Sequence, residues 1–142
     1  HHNASRIEPH RLEHGLLDQP RVKRSRQLGT VDVGHITAQH QRRLGPERAA
    51  QLCLDHLQAV DLIYVSFDVD SMDPTISRGT GTPVKGGINE REAADFILEL
   101  IQNERVCCLE FTEINPTLDS ENVMAETVFE ILQKVARQVE LI

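Results

Sequence analysis

The chain has 142 residues, of which 39% are hydrophobic and 26% charged, and this is enough for one domain with a hydrophobic core. No apolar run reaches the roughly 18 residues of a transmembrane helix, so we expect a soluble protein with no membrane partner. The net charge of -7 argues against nucleic acid as a partner, since phosphate binding requires clustered positive charge.

The N-terminal region predicts no regular element. The chain opens with His1 rather than methionine and carries no signal peptide, so we expect a piece of a longer protein. The first 27 residues show neither strand alternation nor a helical stripe, which favours a poorly ordered or truncated segment over a basic interaction arm. We therefore treat residues 1–43 as a poorly defined segment and residues 44–142 as the folded part.

Three cysteines occur, without the C-x-x-C spacing of a zinc or redox site. Cys107 and Cys108 are adjacent in an apolar run, where cysteine usually behaves as a small buried hydrophobe. With Cys53 as the third, the pattern predicts a reducing, cytoplasmic setting without disulfides.

Regular elements become predictable after Gly45. A helix begins at Pro46, because proline is favoured in a first helical turn. The run Leu62–Phe67 is apolar at nearly every position, which predicts a parallel strand buried on both faces. The predicted apolar stripe of the helix consists of Leu52, Leu54, Leu57 and Val60.

The second half repeats this order. Asn89 is the predicted N-cap of a helix over Glu90–Gln102, and Arg105–Phe111 is a second buried strand. A loop precedes a final helix from about Glu121 to Val139. Alternating helices and strands predict an α/β fold with a parallel sheet, whose ligands bind beyond the carboxyl ends of the strands. The predicted buried residues of the two helices are Ala93, Ala94, Ile97, Leu98 and Ile101, then Val128, Ile131, Leu132 and Val135.

Acidic residues follow the first strand directly. Asp68 and Asp70 lie two residues apart, so in extended chain both point to one face. Two adjacent carboxylates repel each other unless a cation bridges them, and hard ions such as Mn²⁺ or Mg²⁺ prefer oxygen ligands. The alternative is an acidic turn in which the aspartates cap backbone amides. The residues alone leave both interpretations open.

Two further features lie near the strand ends. Glu110 and Glu113 flank the end of the second strand, and a carboxylate at position 113 could bind a cationic ligand or remain a solvated loop residue. The segment GTGTP at 79–83 lacks the spacing of a phosphate loop, so its glycines are expected to permit close backbone approach. No histidine has ligand spacing, and no nucleophile motif occurs.

Three motifs resemble the ureohydrolase family of arginases, agmatinases and formimidoylglutamases. They are SFDVDSMDP at 66–74, GTGTPVKGG at 79–87 and EINPTLD at 113–119. Together with MAETVFEIL they are most similar to bacterial arginases. The resemblance covers about residues 44–139 and identifies 44–142 as the C-terminal part of an arginase-like domain.

The resemblance implies a three-layer α/β/α sandwich with a central parallel sheet and a site for two Mn²⁺ ions in a homo-oligomer. By motif match, Asp68 resembles the aspartate that bridges both metals, and Asp70 resembles a ligand to one of them. Glu113 resembles the glutamate that pairs with the substrate guanidinium, and Thr82 the threonine that lines its pocket.

The family's G-G-D-H and D-A-H-x-D metal motifs and its proton-shuttle histidine are missing from this sequence. No catalytic residue is therefore assigned in this chain. We expect the longer protein to hydrolyse L-arginine to L-ornithine and urea, and this chain alone to be inactive. The alternatives are an agmatine or formimidoylglutamate substrate, or a non-catalytic domain that serves oligomerisation.

Overall fold

A computed structural model describes residues 27–32, 38–76 and 78–141. Most of the segment predicted to be poorly ordered, residues 1–26, lies outside the described residues. Two regular elements begin before residue 44, where the sequence predicts none. The elements are β1 Leu28–Asp32, α1 Ala38–Leu44, α2 Pro46–His56, β2 Leu62–Asp68, α3 Glu90–Ile101, β3 Val106–Thr112 and α4 Val123–Val139, with 3-10 turns at Val69–Ser71 and Ser120–Asn122.

The three described strands form one parallel sheet in the order β1-β2-β3. Leu28 pairs with Leu62 at the start of β1, and Asp68 pairs with Thr112 at the end of β2. The helices between the strands supply the crossover connections that parallel pairing requires. The predicted α/β fold with a parallel sheet is confirmed.

The core lies on one side of this sheet. Ile63, Val65 and Phe67 alternate along β2 and are fully buried against α2, α3 and α4. Phe67 also contacts Phe111 of β3, with ring centroids 5.3 Å apart. Full burial of each such side chain is worth about 1.5–3 kcal/mol. The helices contribute Ala49, Ala50, Leu54, Ala93, Ala94, Phe96, Ile97, Leu100, Met124, Val128 and Ile131.

The opposite side of the sheet is open in the described part of the chain, and this corrects two expectations. β2 is buried on one face only, since Tyr64 and Ser66 are half-buried. Cys107 and Cys108 are exposed rather than buried. The reason is that α2, α3 and α4 share one core on a single face of the sheet. The described residues thus supply two layers of the α/β/α arrangement.

The helix boundaries follow local signals closely. Asn89 caps α3 as predicted: its Oδ1 accepts a hydrogen bond from Glu92 N at 2.8 Å, and its own backbone N donates one to Glu92 Oε2 at 2.9 Å. The predicted stripes contain two errors, since Leu52 of α2 and Leu132 of α4 are exposed. Ala49, Ala50 and Met124 take the inward positions instead. Among the described residues, no helix is long and apolar enough to span a membrane.

Candidate metal and substrate site

The polar loops meet at the carboxyl edge of the sheet. β2 ends at Asp68 and β3 ends at Thr112, and these two residues are register partners in the parallel pair. Glu113, the residue after Thr112, therefore lies next to the end of β2 where Asp68 is located. This is the edge at which open parallel sheets bind ligands.

Asp68 and Asp70 are held in a tight turn rather than in extended chain. Val69–Ser71 is a 3-10 turn, so the expectation based on extended alternation is wrong for Asp70. Asp68 Oδ1 accepts a hydrogen bond from Asp70 N at 2.8 Å, and Ser71 Oγ donates to the Asp68 carbonyl at 2.6 Å. The amide-capping interpretation is thus realised for Asp68. A carboxylate offers about four lone-pair sites, so one amide hydrogen bond does not exclude a role as a metal ligand.

The Asp70 carboxylate receives two threonine hydroxyls from the following loop. Thr80 and Thr82 each donate a side-chain hydrogen bond to it, and Thr82 N lies 3.4 Å from its Oδ1. Burial alone would raise the pKa of Asp70, but the hydrogen bonds from Thr80 and Thr82 outweigh it and lower the pKa. Asp70 is therefore kept ionised and held in one orientation.

Asp73 anchors the far side of the same loop. Its Oδ1 accepts from Thr75 N at 2.8 Å and from Thr75 Oγ1 at 2.6 Å, and its Oδ2 accepts from Gly86 N at 2.6 Å. The Thr75 hydroxyl is the largest of several contributions that lower the pKa of Asp73. Asp73 is thus a scaffold residue that closes the loop back onto the β2 exit.

Two glycines in this region are sterically required. A Cβ on Gly87 would lie 2.4 Å from the Ser71 carbonyl oxygen, and one on Gly79 would lie 2.7 Å from the carboxylate of Asp119. Gly79 is thus closely approached by Asp119, whereas the expected approach to a ligand site stays a prediction. It is absent at Gly81, where a Cβ would meet nothing within 4 Å.

Glu113 begins the third loop in an uncommon backbone conformation. Its φ of 66° lies in the left-handed region, which a residue with a side chain seldom adopts outside turns and functional sites. The side chain is exposed. Two residues later, Asn115 N donates to the Gly79 carbonyl at 2.8 Å. This bond joins the Glu113 loop to residues 79–87, which carry Thr80 and Thr82 and are called the threonine loop. Glu113 therefore lies on a braced loop at the same edge as Asp68.

Glu110 is not part of this edge. It lies within β3 on the open face of the sheet, where its Oε1 accepts from Ser66 Oγ at 2.9 Å. Its hydrogen bond with Tyr64, together with partial burial, raises the pKa of that phenol to about 12. The structure thus separates Glu110 from Glu113.

The sequence analysis did not predict Thr80 as a site residue. It is 2% exposed and contacts Asp70 directly, whereas only Thr82 was singled out. The spacing of Thr80 and Thr82 is the signal that could have found it, because residues two apart in an extended loop share a face.

Comparison with known proteins places this arrangement in a family. The sequence model of the arginase family matches residues 15–137. The chain belongs to the arginase family. The arginase of Bacillus subtilis is 37% identical over 93 residues, which are 66% of this chain and 31% of that protein. The arginase of Coccidioides posadasii is 34% identical over 116 residues, 80% of this chain and 35% of that protein.

Solved structures agree with this membership. The crystal structure of Bacillus subtilis arginase superimposes with a TM-score of 0.63 at 35% identity, and covers 70% of this chain and 34% of that one. The formimidoylglutamase of Bacillus subtilis matches at a TM-score of 0.67 and 23% identity, which supports the shared fold alone. The predicted resemblance and fold class are confirmed. This arginase-family chain spans about a third of the length of the relatives it matches.

The described residues of this arginase-family chain fit a metal ion in part. Asp68 and Asp70 offer hard oxygen donors, which suit Mn²⁺, and the threonine hydroxyls keep Asp70 ionised. In residues 27–32, 38–76 and 78–141, no three His, Cys, Asp or Glu residues cluster as a metal-binding group. The donor set is compatible with a metal and incomplete within the described chain.

Proposed function

We propose that this chain is the C-terminal part of a manganese-dependent ureohydrolase that converts L-arginine to L-ornithine and urea. The supporting observation is the carboxyl edge of the sheet, where loops carrying Asp68, Asp70, Thr82 and Glu113 are joined by hydrogen bonds. Arginine is favoured as the substrate because the two relatives described above, at 37% and 34% identity, are arginases.

In this proposal Asp68 and Asp70 hold Mn²⁺ through their carboxylates. When bound, the metal supplies a water of lowered pKa that can attack at neutral pH. The contribution of this chain is to keep the Asp70 carboxylate ionised and oriented. Thr80 and Thr82 do so through their hydroxyl hydrogen bonds. Such second-sphere contacts typically change metal affinity by about 10- to 100-fold.

Glu113 is proposed to bind the substrate guanidinium. A carboxylate and a guanidinium form paired, charge-assisted hydrogen bonds that fix orientation as well as position. The left-handed backbone at Glu113 and the Asn115–Gly79 hydrogen bond hold the start of this loop at the site edge. Thr82 is proposed to serve both metal binding and substrate binding. Its hydroxyl donates a hydrogen bond to Asp70, and it lies in the loop proposed to line the substrate pocket.

The isolated chain is expected to be inactive, because two carboxylates cannot hold a pair of metal ions. The test is urea release by the purified 142-residue chain with arginine and added Mn²⁺. We expect no turnover above a metal-only blank. Robust turnover would contradict the inactivity of the chain and require a ligand set different from the proposed one.

The residue assignments are tested in a longer protein that carries this chain and the missing ligand motifs. Asp70→Asn should lower Mn²⁺ content, whereas Glu113→Gln should leave Mn²⁺ content intact and raise KM for arginine. Asp55→Asn, an exposed substitution on α2, is the matched control. The substrate is decided by comparing the turnover of arginine, agmatine and formimidoylglutamate in parallel. Unchanged Mn²⁺ content in the Asp70 variant would overturn its assignment.

A further inference from the structure

Arg42, which lies outside the three motifs, contacts the loop whose threonines donate hydrogen bonds to Asp70. Arg42 lies on α1, and its Nε donates to Glu92 Oε1 at 2.8 Å. Its two terminal nitrogens donate to the backbone, one to the Gly86 carbonyl at 3.3 Å and the other to the Gly87 carbonyl at 2.6 Å. One guanidinium thus joins α1, the first turn of α3 and the end of the threonine loop.

The carbonyls that Arg42 binds belong to a segment that is itself bonded to the exit of β2. Val84 N donates to the Asp70 carbonyl at 3.0 Å, and Ile88 N donates to the Ser71 carbonyl at 3.0 Å. Gly86 N donates to Asp73 Oδ2 at 2.6 Å. Residues 84–88 are therefore clamped between Arg42 on one side and the Asp70–Asp73 segment on the other.

The geometry requires an arginine in particular. The planar guanidinium presents donors in a rigid fork, which lets it bind two successive carbonyls and one carboxylate at once. Glu92 is fixed in turn by its hydrogen bond with Asn89 N at 2.9 Å. A lysine would keep the charge but could not reproduce this set of contacts.

The Arg42–Glu92 ion pair is expected to contribute little to the free energy of unfolding. The Arg42 and Glu92 side chains are 46% and 23% exposed, and ion pairs this accessible contribute little to folding. What the contact fixes is local, because each of its backbone acceptors lies in the loop that continues from Thr80 and Thr82. Its effect should therefore concern the order of that loop more than global stability.

We propose that Arg42 is a positioning residue, which holds residues 84–88 so that Thr80 and Thr82 keep the Asp70 carboxylate oriented for a divalent cation. The metal part of this inference rests on the proposed function. The clamp itself does not, since its contacts lie entirely within the described chain.

The clamp is tested by hydrogen exchange in the 142-residue chain. Arg42→Gln should accelerate exchange of the Val84, Gly86 and Ile88 amides on the order of tenfold, because the segment that carries them loses the charge-assisted bonds from Arg42 to the Gly86 and Gly87 carbonyls and opens more often. Arg42→Lys should give an intermediate rate. Arg43→Gln, on the same helix and exposed, is the matched control. Urea unfolding of each variant separates local opening from global destabilisation.

Exchange rates in Arg42→Gln equal to those in Arg43→Gln would overturn the clamp. So would an acceleration spread evenly over the chain, which would show a general structural role. Either result leaves the assignment of Asp70 unaffected.

The metal arm uses Mn²⁺ alone, titrated by electron paramagnetic resonance into the longer protein. Arg42→Gln should weaken Mn²⁺ binding by about three- to tenfold, with partial rescue in Arg42→Lys. If Asp70→Asn weakens binding and Arg42→Gln does not, the positioning role is wrong. If Asp70→Asn also leaves binding unchanged, the metal assignment of the proposed function fails, and the link from Arg42 to a cation falls with it.

Discussion

The buried hydroxyl of Thr80 donates a hydrogen bond to the carboxylate of Asp70, ten residues earlier in the chain. Thr80 belongs to the glycine-flanked GTGTP segment, and Gly79 lies close to Asp119, whose carboxylate accepts hydrogen bonds from Met124 N and Ala125 N in the first turn of α4. The orientation of Asp70 therefore depends on packing between the threonine loop and α4.

Replacing Thr80 by valine should destabilise the chain by about 1–2 kcal/mol, since a hydrogen bond to a charged acceptor is lost while side-chain shape is kept. The free energy of unfolding, measured in urea, checks this. Thr80→Ser keeps the hydroxyl and should retain most of the stability. Equal losses in both variants would assign the effect to packing of the methyl group instead.

Gly87→Ala should cost at least about 2 kcal/mol, because the new Cβ would overlap backbone atoms that have no room to move. The nearest of these is the Ser71 carbonyl oxygen at 2.4 Å. Gly81→Ala is the matched control within the same loop, since its Cβ would enter open space. Thermal unfolding of the two variants compares them, and similar melting temperatures would contradict the close approach.

Stability should fall under acid conditions because of Asp70 and Asp73. Their folded-state pKa values lie below the ordinary value of 3.8, so the stability they contribute is present above that value and is lost as pH falls through the lowered pKa values. We expect the free energy of unfolding to hold down to about pH 5 and to decrease below about pH 4. Urea titrations at several pH values should show a shallower acid loss in Asp70→Asn and Asp73→Asn. An unchanged slope in both variants would contradict the assignment.

The three thiols should react at two distinct rates with a water-soluble maleimide. Cys107 and Cys108 are exposed on β3, whereas burial raises the pKa of Cys53 to about 11. The thiolate is the reactive form, so Cys53 should label much more slowly. Mass spectrometry after timed quenching measures each site. Rapid labelling of Cys53 in the native chain would contradict the partial burial of its thiol in α2.

Elements that depend on local signals can be predicted from the amino-acid order alone. The β2 and β3 strands, the Asn89 cap and the start of α2 at Pro46 lie where apolar runs and capping residues predict them. The family also followed from the sequence, because its motifs are contiguous strings. The metal and substrate roles of Asp68, Asp70, Thr82 and Glu113 stay predictions, though their common edge follows from parallel pairing.

The covered faces of the helices and strands, and the contacts between distant residues, could not be predicted in this way. Cys107 lies in an apolar run and Leu132 in an apolar helical stripe, yet both are exposed. The described helices pack on one side of the sheet only, and α4 turns Val128 and Ile131 rather than Leu132 toward the core. The turn at Val69–Ser71 overrides strand alternation since the chain must leave the sheet there. Arg42 reaches Gly87 across 45 positions of sequence. Such contacts depend on how elements pack together, and local periodicity carries no information about that.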